Sequence, residues 1–221
     1  MKKIGLVFSL ILIFSATLQL NAQWEWQNPL PQGNPLLDVF CINETNGWAV
    51  GLNGCILKTT NGGIDWALQS SGTLYQLNSI YFTDLENGYV VGNAGTILKT
   101  TNAGLSWESK SSGTNYNLNS IYFLTQEIGW TVGGEGKILK TTNGGENWVS
   151  HSVWNEYVLE SVKFIDQNTG WTVGCLYSNS KGIILKTTDG GINWNPQLSI
   201  QVPNLRSVSF VDSNNVWAGG L

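Results

Sequence analysis

The sequence repeats itself every 41 residues, and this period constrains the fold more than any other feature. A tryptophan ends each of the first three repeats, and Trp66, Trp107 and Trp148 are 41 residues apart. A fourth copy ends at Trp194, after five additional residues near Tyr177–Lys181. Tandem repeats of this length predict one supersecondary unit per repeat, stacked so that neighbouring units bury each other's apolar faces.

Each repeat contains four short segments with strand character, separated by turns rich in Asn, Asp and Gly. In the second repeat these are Asn78–Phe82, Gly88–Gly92, Thr96–Thr100 and a segment that begins at Trp107. Such an antiparallel meander cannot bury both of its faces alone, whereas radially stacked sheets can. We therefore predict an all-β fold, a β-propeller of four-stranded antiparallel blades.

The two ends of the chain match only parts of a repeat. Leu205–Leu221 corresponds to the first two strands of a fifth unit, and Trp24–Trp26 resembles an isolated fourth strand. We predict about four complete blades plus part of a fifth. We also expect that the sequence is truncated and that the full protein has more blades.

Residues 1–22 are predicted to be a signal peptide. Lys2 and Lys3 precede a mostly apolar run, and the small residue Ala22 precedes Gln23. The run is short and interrupted for a membrane span. We expect an exported protein, periplasmic, at the cell surface or secreted, whose propeller occupies residues 23–221 with no membrane span after cleavage. The acidic mature chain disfavours nucleic acid as a partner.

The chain has few cysteines and histidines, and we predict neither a metal site nor a bound cofactor. The chain has three cysteines without a CxxC pair, and His151 is the only histidine. Cys41 aligns with a phenylalanine of the other repeats, so we expect a buried thiol in the core. A disulfide between Cys41 and Cys55 is not expected, because another strand lies between them.

The pattern Thr-x-Asn/Asp-x-Gly-x-x-Trp recurs in all four repeats and resembles the Asp-box. The whole unit, with Gly-Trp before it and Ile-Leu-Lys-Thr-Thr within it, resembles the Asp-box (BNR) repeats of the photosystem II stability/assembly factor family over residues 24–221. The resemblance implies a binding scaffold, but an arginine patch cannot be carried over to a chain whose single arginine is Arg206. We predict structural roles in hairpin turns for the Asp-box residues, which are Thr59, Asn61, Gly63, Trp66, Thr100, Asn102, Gly104, Trp107, Thr141, Asn143, Gly145, Trp148, Thr187, Asp189, Gly191 and Trp194.

Catalysis is the alternative function, since some glycoside hydrolases also carry Asp-box propellers. A sialidase needs three arginines to clamp a carboxylate, which one arginine cannot supply. A xyloglucanase needs two facing carboxylates, for which Asp38 and Glu160 on first strands are candidates. Asp84, Asp166 and Asp212 align with one another, which indicates turn residues. We predict no catalytic residues and a non-enzyme, with a glycoside hydrolase as the alternative.

Aromatic residues outside the turns are the candidate binding residues. Tyr75, Tyr116 and Tyr157 align in the connection that leads into each first strand, where they either form a contact surface or seal the gap between blades. Trp154 and Tyr177 interrupt the repeat and are candidates for specificity. We predict a protein or glycan ligand. An aligned lysine on each third strand is expected to lay its stem on apolar neighbours.

Overall fold

The computed structural model describes residues 33–198 and 204–220. The predicted signal peptide and the segment Trp24–Trp26 lie outside the described residues. Within the described part of the chain all regular structure is β-strand, apart from two short 3-10 turns at Leu52–Gly54 and Asn93–Gly95.

The strands form four antiparallel sheets of four strands and one sheet of two strands, which we call blades 1 to 5. Within each blade, strands that are consecutive in sequence are hydrogen-bonded neighbours. Blade 1 contains β1 (Leu36–Cys41), β2 (Gly47–Gly51), β3 (Ile56–Thr59) and β4 (Ala67–Gln69). Blade 2 contains β5 (Leu77–Phe82), β6 (Gly88–Gly92), β7 (Ile97–Thr100) and β8 (Glu108–Ser109). Blade 3 contains β9 (Leu118–Phe123), β10 (Gly129–Gly133), β11 (Ile138–Thr141) and β12 (Val149–Ser150). Blade 4 contains β13 (Tyr157–Phe164), β14 (Gly170–Leu176), β15 (Gly182–Thr187) and β16 (Asn195–Leu198), and blade 5 contains β17 (Leu205–Phe210) and β18 (Val216–Gly220).

The first strands of successive blades pack beside one another, β1 on β5, β5 on β9, β9 on β13 and β13 on β17. This arrangement places the first strand of every blade on the inside, around a shared centre. The predicted all-β propeller with four complete blades and part of a fifth is therefore confirmed.

A repeated hydrogen bond ties each inner strand to the next. The backbone N–H of Ile121 donates to Ser79 Oγ at 3.4 Å, and that of Val162 donates to Ser120 Oγ at 3.4 Å. In the first interface a carboxylate replaces the hydroxyl, and Ile80 N donates to Asp38 Oδ2 at 2.9 Å. These bonds fix the register of neighbouring blades while satisfying inward-facing backbone groups.

The hydrophobic core lies between neighbouring blades, and in each of the three interfaces that join blades 1 to 4 it contains one stacked aromatic pair. Between blades 3 and 4, the indole of Trp130 stacks on Phe164 with ring centroids 3.5 Å apart. Its Nε1 donates to the carbonyl oxygen of Gly190 in the β15–β16 turn at 3.1 Å. We call this combination of stacking and hydrogen bonding the aromatic lock. The residues that make it in the two preceding interfaces are Trp48 with Phe82 and Ala103, and Tyr89 with Phe123 and Gly144.

The aromatic lock requires glycine in the turn that receives it. Gly145 and Gly191 have φ angles of 76° and 88°, which L side chains rarely adopt. A Cβ atom at Gly191 would lie 2.8 Å from Trp130 Nε1, and one at Gly145 would lie 2.7 Å from the Tyr89 ring. The final glycine of the repeated motif is therefore set both by backbone conformation and by the aromatic ring of the preceding blade.

The predicted Asp-box residues lie in the turn between the third and fourth strands of each complete blade. In blade 3 the Thr141 hydroxyl accepts from Gly145 N at 2.9 Å and donates to Asn143 Oδ1 at 3.0 Å. Asn143 Oδ1 also accepts from Asn147 N at 3.0 Å. Trp148 then packs edge-on against Phe123, with ring centroids 6.0 Å apart. The side chains thus close the turn and cover the core beneath it.

The prediction of a buried thiol at Cys41 is wrong, because Cys41 is exposed. The aligned Phe82, Phe123 and Phe164 are buried because the aromatic residue of the preceding blade stacks on them. No blade of the described chain covers the corresponding face of blade 1. Val39 on the same face is 60% exposed, whereas the aligned Val162 is fully buried.

Candidate binding rim

The loops of the propeller emerge at two opposite rims. At one rim, which we call the turn rim, the turn between the first and second strands of each complete blade meets the turn between its third and fourth strands. In blade 3 this contact is the bond from Gly144 N to Glu127 O at 2.9 Å. At the other rim, the connection from the second to the third strand meets the link that enters the blade. In blade 3 this contact is the bond from Gly134 N to Asn117 O at 2.9 Å.

The second rim carries the five predicted binding residues, and we call it the aromatic rim: Tyr75, Tyr116, Trp154, Tyr157 and Tyr177. The side chains of Tyr75, Tyr116, Trp154 and Tyr177 are exposed, and that of Tyr157 is half-buried. Exposure at Tyr75 and Tyr116 favours the contact-surface interpretation over a seal between blades. Leu74, which the sequence analysis did not single out, is also exposed beside Tyr75.

Short side-chain hydrogen bonds hold the loops that present the first two tyrosines. The backbone N–H of Tyr75 donates to Thr73 Oγ1 at 3.1 Å, and the buried Ser71 hydroxyl donates to Thr73 O at 3.2 Å. The loop before Tyr116 repeats both bonds through Thr114 and Ser112. These local bonds fix the backbone, so the tyrosine side chains project from ordered loops.

Trp154, Tyr157 and Tyr177 lie together where blades 3 and 4 meet. The rings of Trp154 and Tyr157 pack edge-on with centroids 5.6 Å apart. Tyr177 N donates to Glu156 O at 2.7 Å, which brings the turn inserted between β14 and β15 beside the same loop. Burial, with the Glu156 charge as a second cause, raises the pKa of Tyr157, so its hydroxyl stays neutral.

A polar groove runs beside the rim between adjacent loops. A cavity of about 570 Å³ lies between the loop that carries Tyr75 and the segment Lys110–Asn115. On the next loop, Lys137 Nζ sits 5.5 Å from the centroid of the Tyr116 ring. Aromatic faces beside a groove with hydrogen-bonding groups can bind an extended peptide or a sugar chain by stacking and polar contacts.

A second candidate site is the channel cavity of about 470 Å³ that the inner strands enclose. Lys163 lies in it, with Nζ 4.9 Å from the centroid of the Tyr122 ring. Burial lowers the pKa of Lys163, and the charge of Asp38 partly opposes that shift. Lys163 replaces the aromatic residue of blades 2 and 3, and this departure from the repeat is the signal by which it could have been found.

The two carboxylates considered for glycoside hydrolysis both line the channel cavity. Asp38 accepts hydrogen bonds at 2.9 Å from the Ser79 hydroxyl, from Ile80 N and from Val39 N, so it joins blade 1 to blade 2. Glu160 Oε1 lies 3.8 Å from Arg206 Nη1 of blade 5. Both carboxylates therefore have partners across an interface between blades.

Acidic residues at the turn rim are engaged by their own turns. Desolvation alone would raise the pKa of Asp84, but hydrogen bonds from Asn87, Glu86 N and Gln126 hold it below its usual value. Asp166 and Asp212 accept equivalent backbone bonds from residues two and three positions later. The prediction that these aligned acids are turn residues is confirmed.

An ion network links blades 2 and 3. Glu146 accepts from Lys110 Nζ at 2.8 Å and from Lys99 Nζ at 2.7 Å. Bonds from these two lysines lower the pKa of Glu146 to about 2. The aligned lysines of the third strands place Nζ over the second-strand aromatic residue of their own blade, 5.2 to 5.8 Å from the ring centroid; they are Lys58, Lys99, Lys140 and Lys186.

Residues 33–198 and 204–220 contain neither a cluster of metal-ligating side chains nor a helix that could span a membrane. No group of three or more His, Cys, Asp or Glu side chains there could hold a metal ion. Among the same residues, no helix has the length and apolar character needed to cross a bilayer.

Comparison with known families identifies the repeat. The sequence profile of the photosynthesis system II assembly factor YCF48 matches residues 16–109 and 71–157, more than half of the chain. The chain belongs to the YCF48 family. This membership agrees with the resemblance inferred from the repeated motif. No curated protein sequence matches the chain.

Solved structures show the same fold at low sequence identity. YCF48 from Cyanidioschyzon merolae is 20% identical, with a TM-score of 0.66 over 86% of the chain, which spans 65% of that protein's length. A structure of YCF48 bound to D1 peptide is 17% identical, with a TM-score of 0.53 over 86% of this chain and 92% of that one. The GH74 enzyme of Niastella koreensis is 17% identical, with a TM-score of 0.60 over 73% of this chain and 30% of the enzyme.

Proposed function

We propose that this member of the YCF48 family is an exported, non-catalytic scaffold that binds a protein ligand on its aromatic rim. The observation that carries the proposal is the exposure of Tyr75, Tyr116, Trp154 and Tyr177 on loops of one rim. A glycan is the other ligand class that such aromatic faces fit.

The physical basis of the proposal is the combination of exposed aromatic area and fixed loops. Tyrosine and tryptophan bury large areas when they bind, with few rotatable bonds to immobilise. The hydrogen bonds of Ser71 and Thr73 hold the first loop before any ligand arrives. Little ordering entropy is then lost on binding, which favours affinity.

A protein ligand is favoured over a glycan by one similar structure. The YCF48 bound to D1 peptide shares this fold over most of both chains. A propeller of the same family therefore accommodates a peptide, and the groove beside Tyr75 offers hydrogen-bonding groups for a peptide backbone.

The test uses a phage-displayed peptide library and a glycan array as probes for the chain. We expect the library to yield peptides whose affinity falls at least tenfold in the triple variant Tyr116→Ala, Trp154→Ala, Tyr177→Ala. The matched control is Ile64→Ala, Leu105→Ala, Ile192→Ala, which removes exposed apolar side chains from the turn rim. Equal loss in both variants, or peptides insensitive to the rim variant, would reject the rim as the site. Capture only on the glycan array would change the ligand class.

Export has its own test. The basic and apolar leader supports cleavage after Ala22. Expression of the full chain in a bacterial host, followed by fractionation and N-terminal sequencing, should give an exported protein that begins at Gln23. Retention in the cytoplasm with the leader intact would contradict export.

A glycoside hydrolase remains the second candidate, supported by the similarity to GH74 enzymes and by Asp38 and Glu160 in one cavity. Incubation with xyloglucan tests it by the release of reducing ends. Release that disappears in Glu160→Gln would establish hydrolysis, whereas no release is expected for a scaffold.

A further inference from the structure

The residue before the last one of each inner strand belongs to a row of rings that a lysine interrupts. Phe40 and Tyr81 pack with ring centroids 5.0 Å apart, and Tyr81 and Tyr122 pack edge-on at 5.5 Å. In blade 4 Lys163 takes the place of the ring, and its Nζ lies 4.9 Å from the centroid of Tyr122. The row therefore places one positive charge beside aromatic side chains in the channel cavity.

The Lys163 ammonium has three N–H donors, and none of the described residues offers an acceptor within hydrogen-bonding distance of its Nζ. The two carboxylates of the cavity have other partners, since Asp38 accepts hydrogen bonds from blade 2 and Glu160 faces Arg206. Burial lowers the pKa of Lys163, which indicates that its charged form is poorly solvated there. A partly buried ammonium of this kind gains free energy from an added acceptor.

The Tyr81 hydroxyl is a second donor, and it too has no hydrogen-bond partner among the residues that the structure describes. Burial, with Tyr122 as a lesser cause, raises the pKa of Tyr81 to about 12, so the hydroxyl stays protonated and neutral. The Tyr122 hydroxyl, in contrast, donates to Phe164 O at 3.0 Å. Tyr122 therefore lies between two groups whose donors the protein does not use.

These groups belong to blades 2, 3 and 4, and each of those blades packs against a described blade on both sides. Their arrangement therefore depends on no segment before blade 1 or after blade 5. Inner strand β13 begins at the aromatic rim and ends at the turn rim, so Lys163, next to its last residue, lies at the turn-rim end of the channel. Ser209, the aligned residue of blade 5, has no ring to pack on the lysine.

We propose that the turn-rim end of the channel binds a monovalent carboxylate, with the Lys163 ammonium as its ion partner and Tyr81 and Tyr122 in contact with the apolar group attached to it. The charges of the cavity favour a single negative charge. Asp38 and Glu160 line the same cavity, and their carboxylates repel a phosphate dianion more strongly than a monoanion. The aromatic side chains favour a carboxylate that carries a planar or apolar group.

A carboxylate of this description has two sources, a small organic acid and the C-terminus of a peptide. Benzoate represents the first source and N-acetylphenylalanine the second. Benzamide has the shape of benzoate without its charge and is the control. The site is independent of the proposed ligand of the aromatic rim, because it lies at the opposite end of the channel.

NMR titration of the full chain, with its lysines labelled with carbon-13, tests the inference. We expect benzoate or N-acetylphenylalanine to shift the Cε–Hε signal of Lys163 in a saturable manner, and the acid that binds more tightly identifies the source. Lys137 is the matched lysine, since its Nζ lies 5.5 Å from the centroid of the Tyr116 ring at the aromatic rim, and its signal should not change. No saturable shift of Lys163 with either acid, or an equal shift with benzamide, would overturn the inference.

Two substitutions of Lys163 test whether its charge is responsible for binding. Lys163→Met removes the ammonium at similar length and should weaken carboxylate binding about tenfold or more. Lys163→Tyr restores the ring that blades 2 and 3 have at this position, so it should keep the fold and also lose binding. Thermal unfolding of both variants checks that they are folded, and calorimetric titration measures affinity.

Lys137→Met is the control for these variants and should bind the carboxylate as the wild-type chain does. The rim variant Tyr116→Ala, Trp154→Ala, Tyr177→Ala should also leave carboxylate binding unchanged, so failure of the channel site and failure of the aromatic rim are distinguishable. Unchanged affinity in a folded Lys163→Met or Lys163→Tyr variant would reject the channel site.

Discussion

The two rims of the propeller are built from loops of similar length, yet the polar side chains of one and the aromatic side chains of the other have different surroundings. At the turn rim, the Thr141 hydroxyl and the Asp84 carboxylate make hydrogen bonds within their own turns or to the next blade. At the aromatic rim, hydrogen bonds of the same kind hold the backbone, and Tyr116 and Tyr177 extend into solvent.

This difference separates residues that maintain the blade from residues that are available to a ligand. A polar turn residue that satisfies buried donors lowers the free energy of the folded state. An exposed aromatic residue contributes little to that free energy. It contributes to the free energy of binding when a partner buries its apolar surface. Periodicity alone does not distinguish the two roles, since Tyr75, Tyr116 and Tyr157 recur every 41 residues, as do the turn residues Thr59, Thr100 and Thr141.

The largest expected contrast is between two tryptophans. Trp130→Ala removes the stacked ring and the hydrogen bond of the aromatic lock, and we expect a loss of about 3–5 kcal/mol in the free energy of unfolding. Trp154→Ala on the aromatic rim should change it by about 0.5 kcal/mol or less. Urea unfolding of both variants measures the difference, and equal losses would contradict the division between the rims.

A smaller contrast is expected between two threonines. Thr141→Val leaves the buried Gly145 N–H without its acceptor, and should cost about 1–3 kcal/mol. Thr114→Val removes an exposed bond to Tyr116 N on the aromatic rim, so its cost should stay near 0.5 kcal/mol. The same unfolding experiment gives both values. A larger cost at Thr114 would show that the aromatic rim also maintains the fold.

Two acids of one turn provide the third contrast. Asp84 accepts bonds from its own turn and from Gln126 of the next blade, and Asp84→Ala should lower the free energy of unfolding by about 1 kcal/mol. Glu86→Ala changes an exposed side chain two residues later and should have little effect. Thermal unfolding of the pair tests this, and equal shifts in midpoint would argue against a structural role for Asp84.

The smallest effect concerns pH. The pKa of Glu146 falls from its ordinary value of 4.5 to about 2 because Lys110 and Lys99 bind its charged form. Its stabilisation is therefore complete above about pH 4.5 and is lost as the pH falls toward 2. Glu146 is half exposed, so the effect should be below about 1 kcal/mol. As the pH is lowered from 4.5 toward 2, the midpoint temperature of thermal unfolding should fall less steeply in Glu146→Gln than in the wild-type chain. If the midpoints of the two proteins change in parallel with pH, the ion network does not contribute to stability.

The repeat made the fold predictable because turns and strands recur at fixed spacing. The four strands of a unit, the turn acids and the two strands of blade 5 all follow from aligned residues. Cys41 shows the limit of this reasoning. Its position in the repeat indicates a core site, but burial depends on a neighbouring blade, and none of the described blades covers that face.

The contacts between blades could not be predicted from the sequence alone. The bond from Val162 N to Ser120 Oγ joins residues 42 positions apart and depends on the register of two inner strands. The same holds for Trp130, whose indole donates to the carbonyl oxygen of Gly190 and leaves no room for a Cβ atom at Gly191. On the aromatic rim, alignment identified Tyr75 and Tyr116, but their exposure was visible only once the loops had been placed.

A mutational scan of the chain displayed on yeast cells tests the division between the rims most directly. The cells are sorted once for folded protein and once for capture of a peptide selected from the library. The account predicts that substitutions in the turns closed by Thr59, Thr100, Thr141 and Thr187 reduce the folded fraction. Substitutions at the exposed residues Tyr75, Tyr116, Trp154 and Tyr177 should reduce capture at an unchanged folded fraction. The division would be contradicted if only substitutions on the turn rim reduced capture and substitutions on the aromatic rim changed neither capture nor the folded fraction.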